Sequence, residues 1–273
     1  MIEYNNIKWY KYHGALLPRV ATHQEIYLSK KEAKELLKKS GAYFLRYTNE
    51  WDRGDGAFWY VIKDNFLGMG ELSGNTRSKI RRGQKRNEVR KITNDYLARH
   101  GYEVYAAAFK GYSTFVCPLS KEKFESYVVS SKHEYWGVFD KENHRLVAYS
   151  ENFIEENMCH YSTIKFHPKY QKNYTSYALL YEMNQFYLND KKIRYVNDGA
   201  RSISHDTNIQ EFLIEKFKFR KAYVQLNIAY RWDIGLIVKI LYPFKKFIKK
   251  LSHPLANKIS VILYQEQIRR SFE

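Results

Sequence analysis

The stretch from Tyr135 to Tyr230 constrains the fold most, because its hydrophobic periodicities define a complete order of elements. Three β-rich runs come first, separated only by short polar turns, which is typical of antiparallel hairpins. After Pro168 the pattern predicts a helix, a strand, a loop, a second helix and a last strand, so the order is β-β-β-α-β-α-β. The predicted strands are 135–140, 145–154, 158–167, 193–196 and 222–230, and the predicted helices are 173–188 and 206–217.

Two local motifs within this order resemble those of the GNAT acyltransferase superfamily. In that family a strand leads into a phosphate-cradling loop, Arg/Gln-x-x-Gly-x-Gly/Ala, and then into a helix. In this chain Gln171 matches the first position, while Tyr174 and Ser176 replace the glycines. The segment from Phe212 to Lys221 is similar to the family's Phe-Tyr-x-x-x-Gly-Phe ending of its last helix, with Lys218 in place of the glycine. The resemblance covers about a third of the chain.

This resemblance implies an acyl-CoA co-substrate and no permanently bound cofactor. A strand would hydrogen-bond the pantetheine arm, and backbone N–H groups at the following helix N-terminus would meet the pyrophosphate. The implied donor-binding residues are Ser162, Ile164, Phe166, Gln171, Lys172, Asn173, Thr175 and Ser176. Because a Cβ at either glycine position narrows the backbone's approach to a phosphate, a non-CoA donor or a cradle assisted by Lys169 and Lys172 remains an alternative.

The segment after the predicted strand 193–196 holds the first candidates for catalysis. Asp198 and Arg201 lie at the carboxyl end of a parallel strand, where open α/β sheets place ligands. We predict that Asp198 acts as a base or orients the acceptor, and that Arg201 clamps a phosphate or carboxylate. The alternative for Asp198 is an Asx turn before Gly199. His205 is a substrate-binding candidate or simply part of a helix-capping sequence.

Two further catalytic candidates lie on other strands. The resemblance implies a tyrosine near the last strand that protonates the leaving thiolate, and Tyr223 lies there, although each of the 25 tyrosines is also a candidate core residue. Glu151, on the second core strand, is a second candidate base, with an exposed strand carboxylate as the alternative reading. We predict no metal site and a reducing, cytoplasmic location, because Cys117 and Cys159 form no CxxC or Cys/His cluster.

The most charged segment, 76–91, carries eight cations and one acid. We predict a helix that starts near Ser73 or Asn75 and gives way to a strand at Val89. Its Arg-x-x-Ile-Arg-Arg pattern resembles the Fem-type branch of the GNAT-like fold, whose enzymes move amino acids from aminoacyl-tRNA to cell-wall precursors. The candidate substrate-binding residues are Arg77, Arg81, Arg82 and Lys85. A solvated face, a phosphate-binding surface and a tRNA-binding face all fit this composition.

The C-terminal part differs from the rest of the chain, because apolar residues recur there at helical spacing between lysines. The predicted apolar stripe is Ile234, Ile237, Val238, Leu241, Phe244, Ile248 and Leu251, with a bend at Pro243 and a second helix at 255–270. The chain as a whole has a formal charge of +17, which implies an anionic partner. The tail therefore docks on an anionic membrane, or else packs on the transferase core with its lysines in water.

Together these patterns predict an α/β (α+β) protein with a GNAT-like mixed sheet, flanking helices and a C-terminal basic amphipathic helical tail. The expected parts are 1–100, with the basic helix, 101–232, the acyltransferase core, and 233–273, the tail. The expected function is transfer of an acyl group from acyl-CoA to an amine of a small or lipid-linked sugar or another cell-envelope precursor. The alternatives are an aminoacyl-tRNA-dependent transferase and a non-catalytic domain that binds RNA or an anionic membrane on its inner face. The sequence leaves the oligomeric state open.

Overall fold

The computed structural model describes residues 1–111, 117–203, 208–251 and 253–273. The chain forms two compact units that interleave along the sequence. The first comprises Met1–Val61, Ala200–Asn208 and Lys221–Glu273, and the second comprises Ile62–Gly199 and Ile209–Arg220. The tail belongs to the same unit as the N-terminal strands, and the three consecutive parts expected from the sequence stay a prediction.

Strands and α-helices are numbered separately in chain order. The strands are β1 (Ile2–Tyr4), β2 (Ile7–Tyr12), β3 (Ala15–Arg19), β4 (Phe44–Arg53), β5 (Trp59–Lys63), β6 (Asn87–Ile92), β7 (Glu134–Asp140), β8 (Leu146–Glu155), β9 (Met158–Phe166), β10 (Tyr195–Ala200) and β11 (Arg220–Tyr230). The α-helices are α1 (Lys30–Ser40), α2 (Gly74–Arg86), α3 (Asn94–His100), α4 (Tyr102–Phe109), α5 (Lys121–Ser130), α6 (Thr175–Asn184), α7 (Ile209–Phe217), α8 (Trp232–Leu241), α9 (Lys245–Ile248) and α10 (Pro254–Arg270). Short 3-10 helices span Gly68–Glu71, Pro168–Asn173 and Tyr242–Phe244, and Gln185–Asp190 is a π-helix.

The first unit contains the strand order β1-β2-β3-β4-β11. Strands β1 to β3 form antiparallel hairpins, β3 and β4 are parallel, and β4 and β11 are antiparallel. Helix α1 begins with the predicted capping box of Ser29 and Glu32 and ends at Gly41, whose φ of +64° is left-handed. Its apolar face packs on Trp9, Leu16 and Leu45 in one cluster.

The polar run 48–56, whose composition is typical of a loop, is strand as far as Arg53. Pairing with β11 explains the difference, because Thr48 lies opposite Leu226 and Asn49 opposite Gln225. A neighbouring strand supplies ladder hydrogen bonds that the polar composition does not reveal.

The second unit contains the strand order β10-β9-β8-β7-β6. Neighbours from β6 to β9 are antiparallel, as the predicted hairpins require, and β9 and β10 are parallel. On one face Trp136 donates its indole N–H to the Tyr187 hydroxyl, in the π-helix that continues α6. On the other face Tyr135 and Tyr149 pack in a cluster with α3, α4 and α5. This mixed sheet therefore has helices on both faces, which confirms the predicted fold class.

Two predicted boundaries in this unit differ from those observed, and a third lies outside the described residues. The helix expected at 173–188 is a 3-10 turn, then α6, then a π-helix. The strand expected at 193–196 begins at Tyr195 and continues to Ala200, so Asp198 lies on a strand and not in a loop. The start predicted for the next helix, at 206, lies outside the described residues, and α7 is described from Ile209.

The C-terminal helices α8 to α10 pack within the first unit. Val238, Ile248, Ala256 and Leu263 form a buried cluster, with Tyr230 of β11 packed against it. The predicted bend at Pro243 is the 3-10 turn Tyr242–Phe244. No helix in the described ranges is both long and apolar enough to cross a bilayer.

Candidate functional site

The second unit opens where strands β9 and β10 part. Their parallel pairing covers three positions, Met158 with Tyr195, Cys159 with Val196 and His160 with Asn197. Beyond His160, β9 continues to Phe166 without a further register position on β10, and its residues from Ser162 onward are exposed or half-buried. Two parallel strands that diverge at their carboxyl ends leave a place for a ligand between them.

A β-bulge lies beside this opening. On β8, Glu151 is opposite Thr163 and Asn152 is opposite Tyr161, so Ser162 is an extra residue on β9 without a partner on β8. Bulges bend a strand and redirect side chains, and they are common beside active sites. Of the other strand residues predicted to bind the donor, Ile164 lies opposite Ser150 and Phe166 opposite Ala148.

Asp198 lies on β10 immediately after the last position that pairs with β9. Burial raises the pKa of its carboxyl to about 7, against a hydrogen bond from the Gln210 side chain that lowers it. The Asx turn considered for this residue is formed by its neighbour, since Asn197 Oδ1 accepts the Gly199 N–H at 2.8 Å. Gly199 has a φ of +98°, a conformation that side chains disfavour. The carboxyl of Asp198 is thus not used by the turn.

Tyr161 interacts electrostatically with Asp198 but remains a neutral phenol. Burial raises its pKa well above the usual value, and the charge of Asp198 adds to that shift. Its hydroxyl donates to Asn184 Oδ1 on α6 at 2.9 Å. Asp198 is therefore the group of this pair that exchanges a proton near neutral pH.

Glu151 is the centre of a second cluster, and it is the only member of that cluster that the sequence predicted as a site residue. The residue is 5% exposed, so the alternative of an exposed strand carboxylate is wrong. Its Oε1 accepts a hydrogen bond from the Tyr127 hydroxyl at 2.5 Å and lies 2.5 Å from His133 Nδ1. Burial, and then the Glu151 carboxylate, raise the pKa of Tyr127. Tyr127 and His133 were not predicted as site residues, because α5 carries Tyr127 to β8 and the pairing of β7 with β8 places His133, just before β7, beside Glu151.

Neighbouring aromatic rings connect this cluster to the end of the β9–β10 ladder. The His133 ring lies 5.5 Å from that of Phe153, which stacks on His160 with centroids 4.4 Å apart. His160 Nδ1 lies 3.4 Å from Asn197 Nδ2, at the last pair of the β9–β10 ladder. Glu151 and Asp198 lie on different strands and form separate clusters, and only Asp198 directly follows the last pair of the β9–β10 ladder.

The loop predicted to cradle phosphate precedes α6. Tyr174, in place of the motif's glycine, has φ +55° and ψ +35°, the left-handed conformation that glycine adopts readily. Helix α6 starts at Thr175 with no side-chain cap, and the first N–H groups of a helix lack partners within it. Gln171 and Lys172 are exposed, Ser176 is half-buried and the Thr175 side chain is buried.

Asn173 shapes this loop and is not free to hold a ligand. Its Oδ1 accepts from Arg86 at 3.1 Å, its Nδ2 donates to Asp140 Oδ2 at 3.1 Å, and its carbonyl accepts from Asn87 at 2.9 Å. The Asn173 side chain therefore has a structural role, and donor binding by the backbone N–H of this residue stays a prediction.

The basic helix α2 lies against the N-terminal end of α6. A Cβ on Gly83 would lie 2.7 Å from the Tyr174 carbonyl oxygen, so only glycine permits this approach. Three predicted substrate-binding cations are exposed and have no ion-pair partner in the described ranges. They are Arg81, Arg82 and Lys85. Arg77 is half-buried and donates to the Leu72 carbonyl at 3.1 Å, at the start of the helix.

The remaining predicted site residues belong to the first unit or lie outside the described chain. The Arg201 guanidinium donates to the Ala57 carbonyl at 2.6 Å and to the Tyr264 hydroxyl at 2.7 Å, and lies 4.2 Å from the Trp59 ring centroid. Arg201 therefore packs within that unit, and its role as a clamp stays a prediction. Tyr223 packs edge-on to Trp59 at 5.9 Å, and its role as an acid stays a prediction. His205 lies outside the described residues.

Comparison with known proteins finds similar structures but no matching family model or curated sequence. The structure of L-PGS from Bacillus licheniformis is 14% identical, covers 97% of this chain and 86% of its own, and has a TM-score of 0.57. The crystal structure of FemX is 8% identical, with 86% of each chain covered and a TM-score of 0.59. The chain therefore shares the fold of the L-PGS and FemX structures.

Proposed function

We propose that this protein is an N-acyltransferase in which Asp198 is the general base. The observation that carries the proposal is a carboxyl group whose pKa is raised to about 7 at the point where two parallel strands diverge. A base is most effective when its pKa lies near the working pH, and an amine acceptor must be deprotonated before it attacks.

The reaction assigned to this site is a single displacement at a carbonyl. The acceptor nitrogen attacks the acyl carbonyl carbon, Asp198 takes a proton from that nitrogen, and the bond to the donor's leaving group breaks. The leaving group departs with its electron pair as a thiolate or an alkoxide and takes up the proton that Asp198 removed, directly or through solvent. A backbone N–H group at the Ser162 bulge is our candidate hydrogen-bond donor to the acyl carbonyl oxygen. A donor placed there stabilises the negative charge that develops on that oxygen.

An acyl-CoA is our first candidate donor. The left-handed conformation of Tyr174 preserves the turn that the motif's glycine provides, and α6 presents uncapped N–H groups after it. A helix N-terminus of this kind suits a pyrophosphate, and the exposed Lys169 and Lys172 add positive charge.

An aminoacyl-tRNA is the second candidate donor, and the exposed face of α2 favours it. Arg81, Arg82 and Lys85 are unpaired in the described chain beside the loop that precedes α6, and a nucleic-acid backbone requires such a row of cations. With either donor, the acceptor we propose is an amine on a sugar or another cell-envelope precursor, free or lipid-linked, since the net charge of +17 favours phosphorylated substrates.

The donor can be identified by thermal shift with acetyl-CoA, longer acyl-CoAs and free CoA. A ligand at 100 times its dissociation constant adds about 2.7 kcal/mol to the unfolding free energy. The variant Ser176→Asp should abolish the shift, because a carboxylate at a helix N-terminus stabilises the helix but repels phosphate. Ser176→Asn is the neutral control and should keep most of it. No shift with any CoA compound would exclude the first donor.

The second donor is tested by tRNA binding at several salt concentrations. The double variant Arg81→Ala with Arg82→Ala should weaken binding and reduce the salt slope by about 0.9 for each duplex phosphate that the protein no longer neutralises. Lys30→Ala with Lys31→Ala, another exposed cation pair, serves as the control. Equal affinity and slope in all three proteins would mean that α2 presents only a solvated face.

A further inference from the structure

The C-terminal helices of the first unit carry a row of exposed apolar side chains, which we call the outer stripe. Its members recur at intervals of three or four residues along α8, the 3-10 turn Tyr242–Phe244 and α9, and the last member follows the end of α9. They are Trp232, Leu236, Ile240, Phe244, Phe247 and Leu251, and their exposed fractions range from 42% to 82%. The spacing is helical, so the side chains lie along one side of the segment.

The outer stripe is separate from the apolar residues that hold these helices in place. Val238 and Ile248 are buried, and Ile234, Leu241 and Tyr242 pack against the same cluster. The single stripe predicted from the sequence was wrong in this respect, because its residues Phe244 and Leu251 point to solvent while Val238 and Ile248 point inward. The segment is apolar on two sides, and internal packing uses only one of them.

Unpaired positive charge borders the outer stripe. Lys239, Lys246 and Lys250 are exposed, directly precede Ile240, Phe247 and Leu251, and have no ion-pair partner in the described residues. The only acid between Trp232 and Leu251 is Asp233, whose carboxylate is bonded to Arg231 at 2.6 Å. The surface therefore combines apolar side chains with a net positive charge that nothing in the described part of this unit neutralises.

We propose that the outer stripe docks the protein on an anionic lipid bilayer, lying in the interface and not crossing it. Trp and Phe on one face with lysines beside them is the composition of interfacial helices, whose apolar side chains enter the headgroup boundary while cations meet anionic lipids. A second copy of the chain fits less well, since a two-fold contact through this face would bring two sets of unpaired lysines together. This inference does not depend on the proposed function.

Flotation of the full-length protein with lipid vesicles tests the proposal. Vesicles of phosphatidylcholine mixed with phosphatidylglycerol should carry the protein, and those of phosphatidylcholine alone should carry much less. Trp232→Ser with Phe247→Ser should lower the partition coefficient at least about 100-fold, because two apolar side chains no longer enter the bilayer. The matched control, Tyr27→Ser with Leu67→Ser, changes side chains that are 65% and 67% exposed elsewhere and should partition like wild type.

Charge reversal tests the electrostatic part. Lys246→Glu with Lys250→Glu should weaken binding to the mixed vesicles at least about 25-fold, since each lysine near an anionic surface contributes about fivefold. Lys30→Glu with Lys31→Glu is the control. The proposal is overturned if wild type does not float with mixed vesicles, or if the stripe variants bind as well as wild type. It is also overturned if wild type forms a dimer that the Trp232→Ser and Phe247→Ser changes dissociate.

Discussion

Two carboxylates, one in each unit, show how the same chemical group becomes reactive or structural. Asp198 in the second unit has one amide donor, Gln210, and burial raises its pKa to about 7. Glu266 in the first unit is 3% exposed, and burial alone would raise its pKa too. Hydrogen bonds from Arg269, Arg270 and Tyr230 outweigh that effect, and its pKa is lowered. Burial raises the pKa of both carboxyls, and only at Glu266 do charged partners reverse that shift.

The difference indicates different roles. The Glu266 carboxylate accepts from Arg269 at 2.8 Å, from Arg270 at 2.7 Å and from the Tyr230 hydroxyl at 3.1 Å, so it joins α10 to β11 within the first unit. A carboxylate satisfied in this way holds helices together and does not take up protons near pH 7. No cation of the described chain contributes to the pKa shift of Asp198 in this way, which leaves that carboxylate able to accept a proton from a substrate.

The largest effect we expect is on turnover. Asp198→Asn keeps the shape of the side chain and a hydrogen-bond acceptor for Gln210 but removes the base, so the rate should fall at least about 100-fold. Glu266→Gln is the control, because turnover per folded molecule should stay near wild type. The assay is single-turnover transfer with the donor identified by binding. Wild-type turnover in Asp198→Asn would remove this residue from the mechanism.

Stability should depend on pH with opposite signs at the two sites. The raised pKa of Asp198 means that the folded state binds more protons than the unfolded one between about pH 4 and 7, so its contribution to stability is lost as the pH rises. Relative to Asp198→Asn, wild type should lose about 1.4 kcal/mol per pH unit in that window. The lowered pKa of Glu266 has the reverse effect, since its contribution is lost as the pH falls below 4.5. Urea unfolding at several pH values measures both, and parallel curves would contradict the contrast.

Removing the charge of Glu266 should destabilise the protein at neutral pH. In Glu266→Gln the arginines lose charge-assisted hydrogen bonds, so the unfolding free energy should fall by about 2 to 3 kcal/mol. Arg269 keeps its contact with Glu273 at 2.6 Å, which limits the destabilisation. Urea unfolding followed by circular dichroism gives the value, and an unchanged midpoint would show that this network is not structural.

A smaller effect is expected at Tyr127, whose hydroxyl bonds the buried Glu151. Tyr127→Phe should lower the unfolding free energy by about 1 to 2 kcal/mol, since a buried carboxylate loses a donor. The control is Tyr27→Phe, because Tyr27 also bonds a carboxylate, Glu25, but both residues are exposed. There the decrease should be below about 0.5 kcal/mol. Equal changes in both variants would show that burial of Glu151 has no energetic consequence.

The local patterns of the sequence predicted much of the fold. The hairpins β7 to β9, the capping box of α1 and the helix α2 followed from periodicity and from residues close together in the chain. Gly83 within the basic run could have indicated the close approach of α2 to another backbone. The extension of β10 through Asp198 could not be predicted, because Asn-Asp-Gly favours a turn and only pairing with other strands holds it extended.

The candidate site was predicted only in part, for a related reason. Asp198 was identified from its position after a parallel strand, but its raised pKa depends on burial and on Gln210, neither of which is local information. Glu151 was predicted as a candidate base with an exposed strand carboxylate as the alternative, although an acidic residue inside an otherwise buried strand could have indicated a buried charge with partners. Tyr127 reaches it only when α5 packs on the sheet, and His133 reaches it through the pairing of β7 with β8.

The central claim is that Asp198 titrates near neutral pH, and carbon-13 NMR of the protein labelled at aspartate carboxyl carbons tests it without a substrate. The resonance absent from Asp198→Asn identifies the group. We expect its chemical shift to titrate with a pKa of about 7, far above the ordinary value of 3.8. A titration at or below the ordinary value would show that the carboxylate is stabilised as a charge, and would contradict its assignment as the base.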